Sequence, residues 1–167
     1  MADGDRSPID DMLDANRDYA GAHVFQTLSP RPARRIAVVL CMDARIDPFS
    51  ALGFERGDAH IIRNAGGRLA EAERSLVVSQ RLLGTEAVAI IHHTECGLMR
   101  PSDAEVREAI GLGQDEVGEM AFLTFRSLEE SLQEDLEAYR ASPLLRQDIP
   151  VRAFVYEVET GLLREVE

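Results

Sequence analysis

Apolar runs and helical stripes alternate along the chain. Ile36-Ala37-Val38-Val39-Leu40-Cys41-Met42 is unbroken, apolar and β-rich, the pattern of a strand covered on both faces. Ala59 to Asn64 (AHIIRN) reads as a second strand, and Glu86 to His93 (EAVAIIHH) as a third, buried one. Between them Leu69, Ala72, Leu76, Gln80 and Leu83 share one helical stripe that Gly84 closes. Asp47-Pro48 supplies an N-cap and a first-turn proline for a short helix through Leu52. A longer stripe, from about Glu119 to Arg140, puts Phe125, Leu128, Leu132, Leu136 and Tyr139 on one face. The terminal VRAFVYEVETGLLREV is two short runs joined at Thr160-Gly161, a hairpin pattern. Two Ser-x-x-acid boxes, Ser7 with Asp10 and Ser102 with Glu105, mark further helix starts.

Strands alternating with amphipathic helices predict an α/β fold: a central, mainly parallel sheet flanked by helices, preceded by an N-terminal helical arm and closed by a C-terminal hairpin. One domain over 1–167 accommodates the whole pattern. Residues 1–34 stand apart within it. Ile9, Met12, Leu13, Tyr19 and Ala20 give the first helix an apolar face that must pack on something, while the Pro30 and Pro32 linker detaches it from the sheet.

Composition narrows the partners. Eighteen basic residues, all arginine, against 30 acidic ones leave a net charge of −12. Such a surface repels nucleic-acid backbones and anionic membranes, so neither is expected as a partner. The acidic N-terminus lacks the basic, apolar pattern of a secretory signal, which points to the cytoplasm. Cys41 and Cys96 are too few for a disulfide framework; cysteines in a reducing compartment serve as ligands or catalysts, or are simply buried.

Ligand sites of open α/β sheets lie in the crevice at the carboxyl ends of the strands. Cys41 ends one strand, and His93-Thr94-Glu95-Cys96 leaves another, so two sulfurs and a nitrogen can converge. Zinc suits that donor set, and three protein ligands leave its fourth position for water. Small buried thiols beside a polar strand-end histidine fit the same residues. Cys41-Met42-Asp43-Ala44-Arg45 adds a carboxylate that a guanidinium fork can hold, or else an ordinary surface ion pair. His92 should face away from His93, and His23 and His60 read as surface or loop residues. Arg63 to Gly67 lacks the spacing of a nucleotide loop; its glycines suit a close backbone approach beneath the site. The acidic run from Glu129 to Glu137 reads as a solvated helix face.

Cys41-x-Asp43-x-Arg45 followed by His93-x-x-Cys96 resembles the β-class carbonic anhydrases, in the compact prokaryotic branch, with Arg63-Asn64-Ala65-Gly66-Gly67 similar to the family's intervening loop. The resemblance implies Zn2+ as cofactor, held by Cys41, His93 and Cys96, with Asp43 and Arg45 as the catalytic pair and Asp43 as fourth ligand in a closed state. It implies reversible hydration of CO2 to bicarbonate and a proton by hydroxide generated at the metal, favoured at alkaline pH because two thiolates offset the metal's charge. It also implies a homodimer or higher homo-oligomer in which residues 1–34 form a dimerisation arm. Two alternatives share the motifs: a carbonyl sulfide or carbon disulfide hydrolase, and a non-catalytic zinc or bicarbonate-sensing dimer module.

Overall fold

The computed structural model describes residues 7–23, 27–111, 117–118 and 120–166. In chain order the elements are α1 (Pro8–Ala22), β1 (Ile36–Cys41), α2 (Pro48–Leu52), β2 (Ala59–Asn64), a 3-10 turn (Ala65–Gly67), α3 (Leu69–Arg81), β3 (Ala87–His93), α4 (Asp103–Ile110), α5 (Leu128–Ala141), β4 (Val151–Tyr156) and β5 (Leu163–Val166). Both capping boxes form: Ser7 with Asp10 opens α1, and Ser102 with Glu105 opens α4.

The strands make one sheet in the order β2-β1-β3-β4-β5. β1 pairs in parallel with β2 and β3, β3 pairs in parallel with β4, and β5 returns antiparallel on β4. The chain therefore runs outward from β1 to β2, then crosses back over β1 to β3. Connections leaving β1 and β3 in opposite directions open a crevice at the carboxyl ends of those two strands.

Side-chain alternation builds two apolar layers. Ala37, Val39, Val88, Ile90, Ala153 and Val155 pack under α3 and α5, with Leu76, Leu132 and Tyr139 almost wholly buried. Each of these leucines contributes about 1.5–3 kcal/mol by leaving water. On the other face Val38, Leu40 and Ile91 meet Leu52 of α2 and Phe54. That face also carries an apolar trough of ≈ 350 Å³ between Ile36, Leu52, Phe54, Phe154 and Leu163. α1 buries none of its residues, leaving Ile9, Met12 and Tyr19 more than half exposed. No helix among the described residues is long and apolar enough to cross a membrane.

Two elements depart from the sequence pattern. The long stripe becomes helical only from Leu128, with Ser127 as its N-cap; Glu119 lies outside the described residues. Phe125 is buried all the same, because Asp103 accepts hydrogen bonds from the Phe122 and Thr124 amides and fixes the preceding backbone in a non-helical path. α3 ends at Arg81, three residues before Gly84, whose left-handed conformation (φ +76) turns the chain toward β3.

Candidate metal centre

Cys41 ends β1, His93 ends β3, and the turn after β3 carries Cys96. The structure brings these three side chains together, their ligand atoms all within 4.8 Å of one another. They are 5%, 1% and 4% exposed, so water is almost excluded from the cluster. No other set of three or more His, Cys, Asp or Glu side chains among the described residues is close enough to share an ion.

Gly67 permits the convergence. A Cβ there would sit 2.9 Å from the Cys41 amide nitrogen and 2.9 Å from the Ile91 carbonyl oxygen. The glycine thus lets the backbone pass directly beneath the ends of β1 and β3, as the Gly66-Gly67 pair predicts. Asn64 ties off the same turn, accepting from the Arg68 amide (2.8 Å) and donating to its carbonyl (2.8 Å).

The cluster is chemically incomplete without a further group. His93 Nδ1 is occupied by the Thr94 carbonyl oxygen at 2.8 Å, which leaves Nε2 as the free ring nitrogen. Nε2 is buried with no hydrogen-bond partner. An imidazole oriented through one nitrogen by a backbone carbonyl, with the other aimed at two sulfurs, is the arrangement of a metal-ligating histidine. Hydrogen bonding by Cys96 draws the Cys41 thiol well below its ordinary pKa, against the opposing effect of burial, and drives Cys96 correspondingly up. Burial pulls His93 down, yet the Cys41 sulfur, the Thr94 carbonyl and Asp43 together more than reverse this and leave its pKa raised. A divalent ion relieves the shared-proton arrangement and fills the orphaned nitrogen's need, so the residues fit zinc.

Asp43 and Arg45 form a fork. Arg45 Nε donates to Oδ1 (3.0 Å), one terminal nitrogen donates to Oδ2 (2.9 Å), and the Arg45 amide adds a bond to Oδ1 (2.9 Å). These bonds hold the Asp43 carboxyl well below the usual carboxylate range, so it stays ionised. Its Oδ2 lies 3.8 Å from His93 Nε2, beside the cluster. Arg63, from β2, donates to the Cys41 and Asp43 carbonyls (2.9 and 2.6 Å) and clamps the backbone between them.

Residues 36–141 match the carbonic anhydrase family. Over 161 residues the chain is 38% identical to β-carbonic anhydrase 1 of Mycobacterium tuberculosis, covering 94% of this chain and 96% of that one. The chain belongs to the β-carbonic anhydrase family. A crystal structure of carbonic anhydrase from Streptococcus mutans superposes with a TM-score of 0.88 at 39% identity, covering 98% of this chain and 99% of that one. A carbon disulfide hydrolase of Acidithiobacillus thiooxidans is 34% identical over 152 residues, 78% of this chain and 76% of that one. Within this β-carbonic anhydrase fold, then, both named activities occur among relatives.

The remaining histidines and acids sort by contact. His92 diverges from His93, as strand alternation predicts: it is fully buried against α5, with Nδ1 2.8 Å from Ser131 Oγ and Nε2 3.1 Å from Asp135 Oδ2. His60 is no loop residue; it is part of β2, with its ring nitrogens on Ser79 Oγ (2.7 Å) and the Pro30 carbonyl (3.0 Å). His23 caps α1 beside Tyr19. The acidic face of α5 is solvated except at Asp135, which is buried, accepts from the Leu69 amide (3.1 Å) and forms an ion pair with Arg68 (3.2 Å). The signal was its position: 128, 131, 132, 135, 136 and 139 form the inward set of a helix. Glu95, which holds Arg45, carries no comparable pattern signal, whereas Arg63, which clamps the Cys41 backbone, opens the 63–67 loop already singled out by its resemblance.

Proposed function

We propose that this chain catalyses the zinc-dependent reversible hydration of CO2 to bicarbonate and a proton. The observation that carries the reading is the buried, unpartnered Nε2 of His93 facing two thiols, with an ionised carboxylate 3.8 Å away. Cys41, His93 and Cys96 would hold the ion. When bound, zinc supplies Lewis acidity that lowers the pKa of water and makes hydroxide available near neutrality. The side chains do the rest. Asp43, kept ionised, can only accept a hydrogen bond, and so orients a hydroxyl proton toward Oδ2 and turns the oxygen lone pair toward carbon. Arg45 fixes that carboxylate by its fork. Leu98, Met99 and Phe125, packed in the same apolar cluster as both cysteines, favour a small nonpolar substrate over bulk water.

The working unit in this proposal is a homodimer or higher homo-oligomer. Its support is the apolar face of α1, left bare on its own chain, together with the open apolar trough on the sheet. Cytoplasmic residence accompanies two unpaired, buried thiols. A second reading, hydrolysis of carbon disulfide or carbonyl sulfide, is favoured by the A. thiooxidans relative.

Stopped-flow CO2 hydration and sulfide release from both sulfur substrates, on protein of measured zinc content, separate the two. We expect zinc-dependent CO2 hydration that rises toward alkaline pH, lost with the metal in Cys96→Ser and reduced by ~10²-fold in Asp43→Ala through misorientation of the attacking oxygen. Dominant sulfide release, or full CO2 hydration in Asp43→Ala, refutes the reading.

A further inference from the structure

We infer that Glu95 is a positioning residue for the same site: its side chain and its own carbonyl hold Arg45 against Asp43, and so keep the Asp43 carboxylate beside the Cys41–His93–Cys96 cluster instead of on it. The inference rests on the proposed role of Asp43 and Arg45.

The geometry is a closed set of bonds. Arg45 uses Nε and one terminal nitrogen on Asp43; its other terminal nitrogen donates to Glu95 Oε2 (3.0 Å), and the nitrogen on Asp43 Oδ2 also donates to the Glu95 carbonyl (3.1 Å). Every nitrogen of the guanidinium is therefore engaged, and the fork cannot turn away from Asp43 without breaking bonds to Glu95. Arg45 lies on the loop that follows Cys41, and Glu95 on the turn between His93 and Cys96. Their contact ties together the two segments that carry the three cluster residues.

Backbone strain supplies an independent observation. Glu95 sits at φ +57, one of three described non-glycine residues in the left-handed region and the one within the cluster's own turn. A glutamate there is disfavoured by its Cβ, whereas glycine would adopt the conformation freely. The side chains of Arg45 and Glu95 are 46% and 55% exposed, and an ion pair so exposed stabilises a fold little. Fold stability therefore gives no reason for a glutamate at this position; a grip on Arg45 does. Released from that grip, Arg45 can leave Asp43, whose Oδ2 already lies 3.8 Å from His93 Nε2, within a short rotation of any ion the cluster holds.

Glu95→Gly separates strain from the side-chain grip, because it relieves the first and removes the carboxylate's bond to Arg45, leaving only that of the backbone carbonyl; Glu95→Gln keeps a side-chain acceptor for Arg45. Three quantities are read on the metal-loaded full chain: the unfolding midpoint, kcat and KM for CO2 hydration with zinc, and azide affinity by visible absorption with cobalt in place of zinc. We expect Glu95→Gly to be at least as stable as the parent and to bind one metal ion. Its kcat falls by about two- to fivefold with little change in KM, the scale of losing one exposed charged contact. Azide binding weakens by a similar factor, because Asp43 now competes for the metal's open position. Glu95→Gln falls between the two. Parental azide affinity in Glu95→Gly overturns the inference whatever its turnover. A parent enzyme with full zinc and no CO2 hydration refutes the proposed reaction instead, and the azide titration still decides the role of Glu95.

Discussion

Placing a single methyl group at Gly67 tests how closely the chain passes beneath the Cys41–His93–Cys96 cluster. The ideal Cβ meets backbone on three sides: Cys41 nitrogen at 2.9 Å, Ile91 oxygen at 2.9 Å and Leu40 carbonyl carbon at 3.0 Å, at a φ of +71. Two other glycines calibrate the cost. Gly84 has φ +76 and open space around it, so Gly84→Ala incurs only the left-handed penalty of about 1–2 kcal/mol, offset by about 0.4–1 kcal/mol of unfolded-chain entropy. Gly66 has the same φ, but its neighbours are the side chains of Leu98 (3.3 Å), Arg68 and Phe125 (both 3.5 Å), which can yield by a few tenths of an ångström. Gly67→Ala must instead push apart the backbones of two central strands, adding about 1–3 kcal/mol of overpacking to a net left-handed cost of about 1 kcal/mol. The total is about 2–4 kcal/mol, and at about 2–4 °C per kcal/mol for a chain of this size the midpoint falls by about 4–16 °C. Thermal and urea unfolding of the three variants, at one protein concentration because assembly shifts the midpoint, gives the order directly. Zinc affinity should fall in Gly67→Ala alone, since the Cys41 amide is what moves. Equal destabilisation by Gly67→Ala and Gly84→Ala would refute the close-approach argument.

Asp135→Ala removes the acceptor shared by the Leu69 amide and His92, and leaves the nearly buried Arg68 side chain without its buried ion-pair partner. We expect a loss of about 3–5 kcal/mol in urea unfolding, a smaller one for Asp135→Asn, and a loss under about 1 kcal/mol would show that water or Glu134 replaces the contact. Met12→Glu with Leu13→Glu places charge on the bare face of α1. If that face is covered by a second copy, sedimentation should show association weakened by at least about tenfold, the equivalent of one buried aliphatic side chain; unchanged assembly would remove α1 from the interface.

The fold was legible where one residue type answers one physical demand. The apolar runs at 36–41 and 87–93 are β1 and β3, central strands covered on both faces, while the mixed run at 59–64 is β2, the edge strand, whose residues are at most half-buried. Ser7, Asp47 and Ser102 cap helices as their spacing predicts. The stripe through Phe125 misled because a buried aromatic at helical spacing does not require a helix. The hydrogen bonds that hold residues 122 and 124 in a non-helical path come from Asp103, about 20 residues back in the sequence, and no local pattern announces them.

At the site, legibility follows how far a residue's meaning depends on a partner. Cys41, His93 and Cys96 are rare residue types at strand ends, and rarity with position is enough to suggest that they converge. Asp43 and Arg45 are two residues apart, so their fork is a local property of the chain. Glu95 and Asp135 differ: each is one acid among 30, and acids on turns and helices usually face water. What distinguishes Asp135 is an inward helical position in the midst of a charged run. What distinguishes Glu95 is a dihedral angle and an arginine 50 residues earlier in the chain. Neither is a property of the residue alone. The convergence of these three side chains could therefore be read from the sequence, while the residues that hold them and their neighbours in place become visible only once β1 and β3 lie side by side and their loops share one crevice.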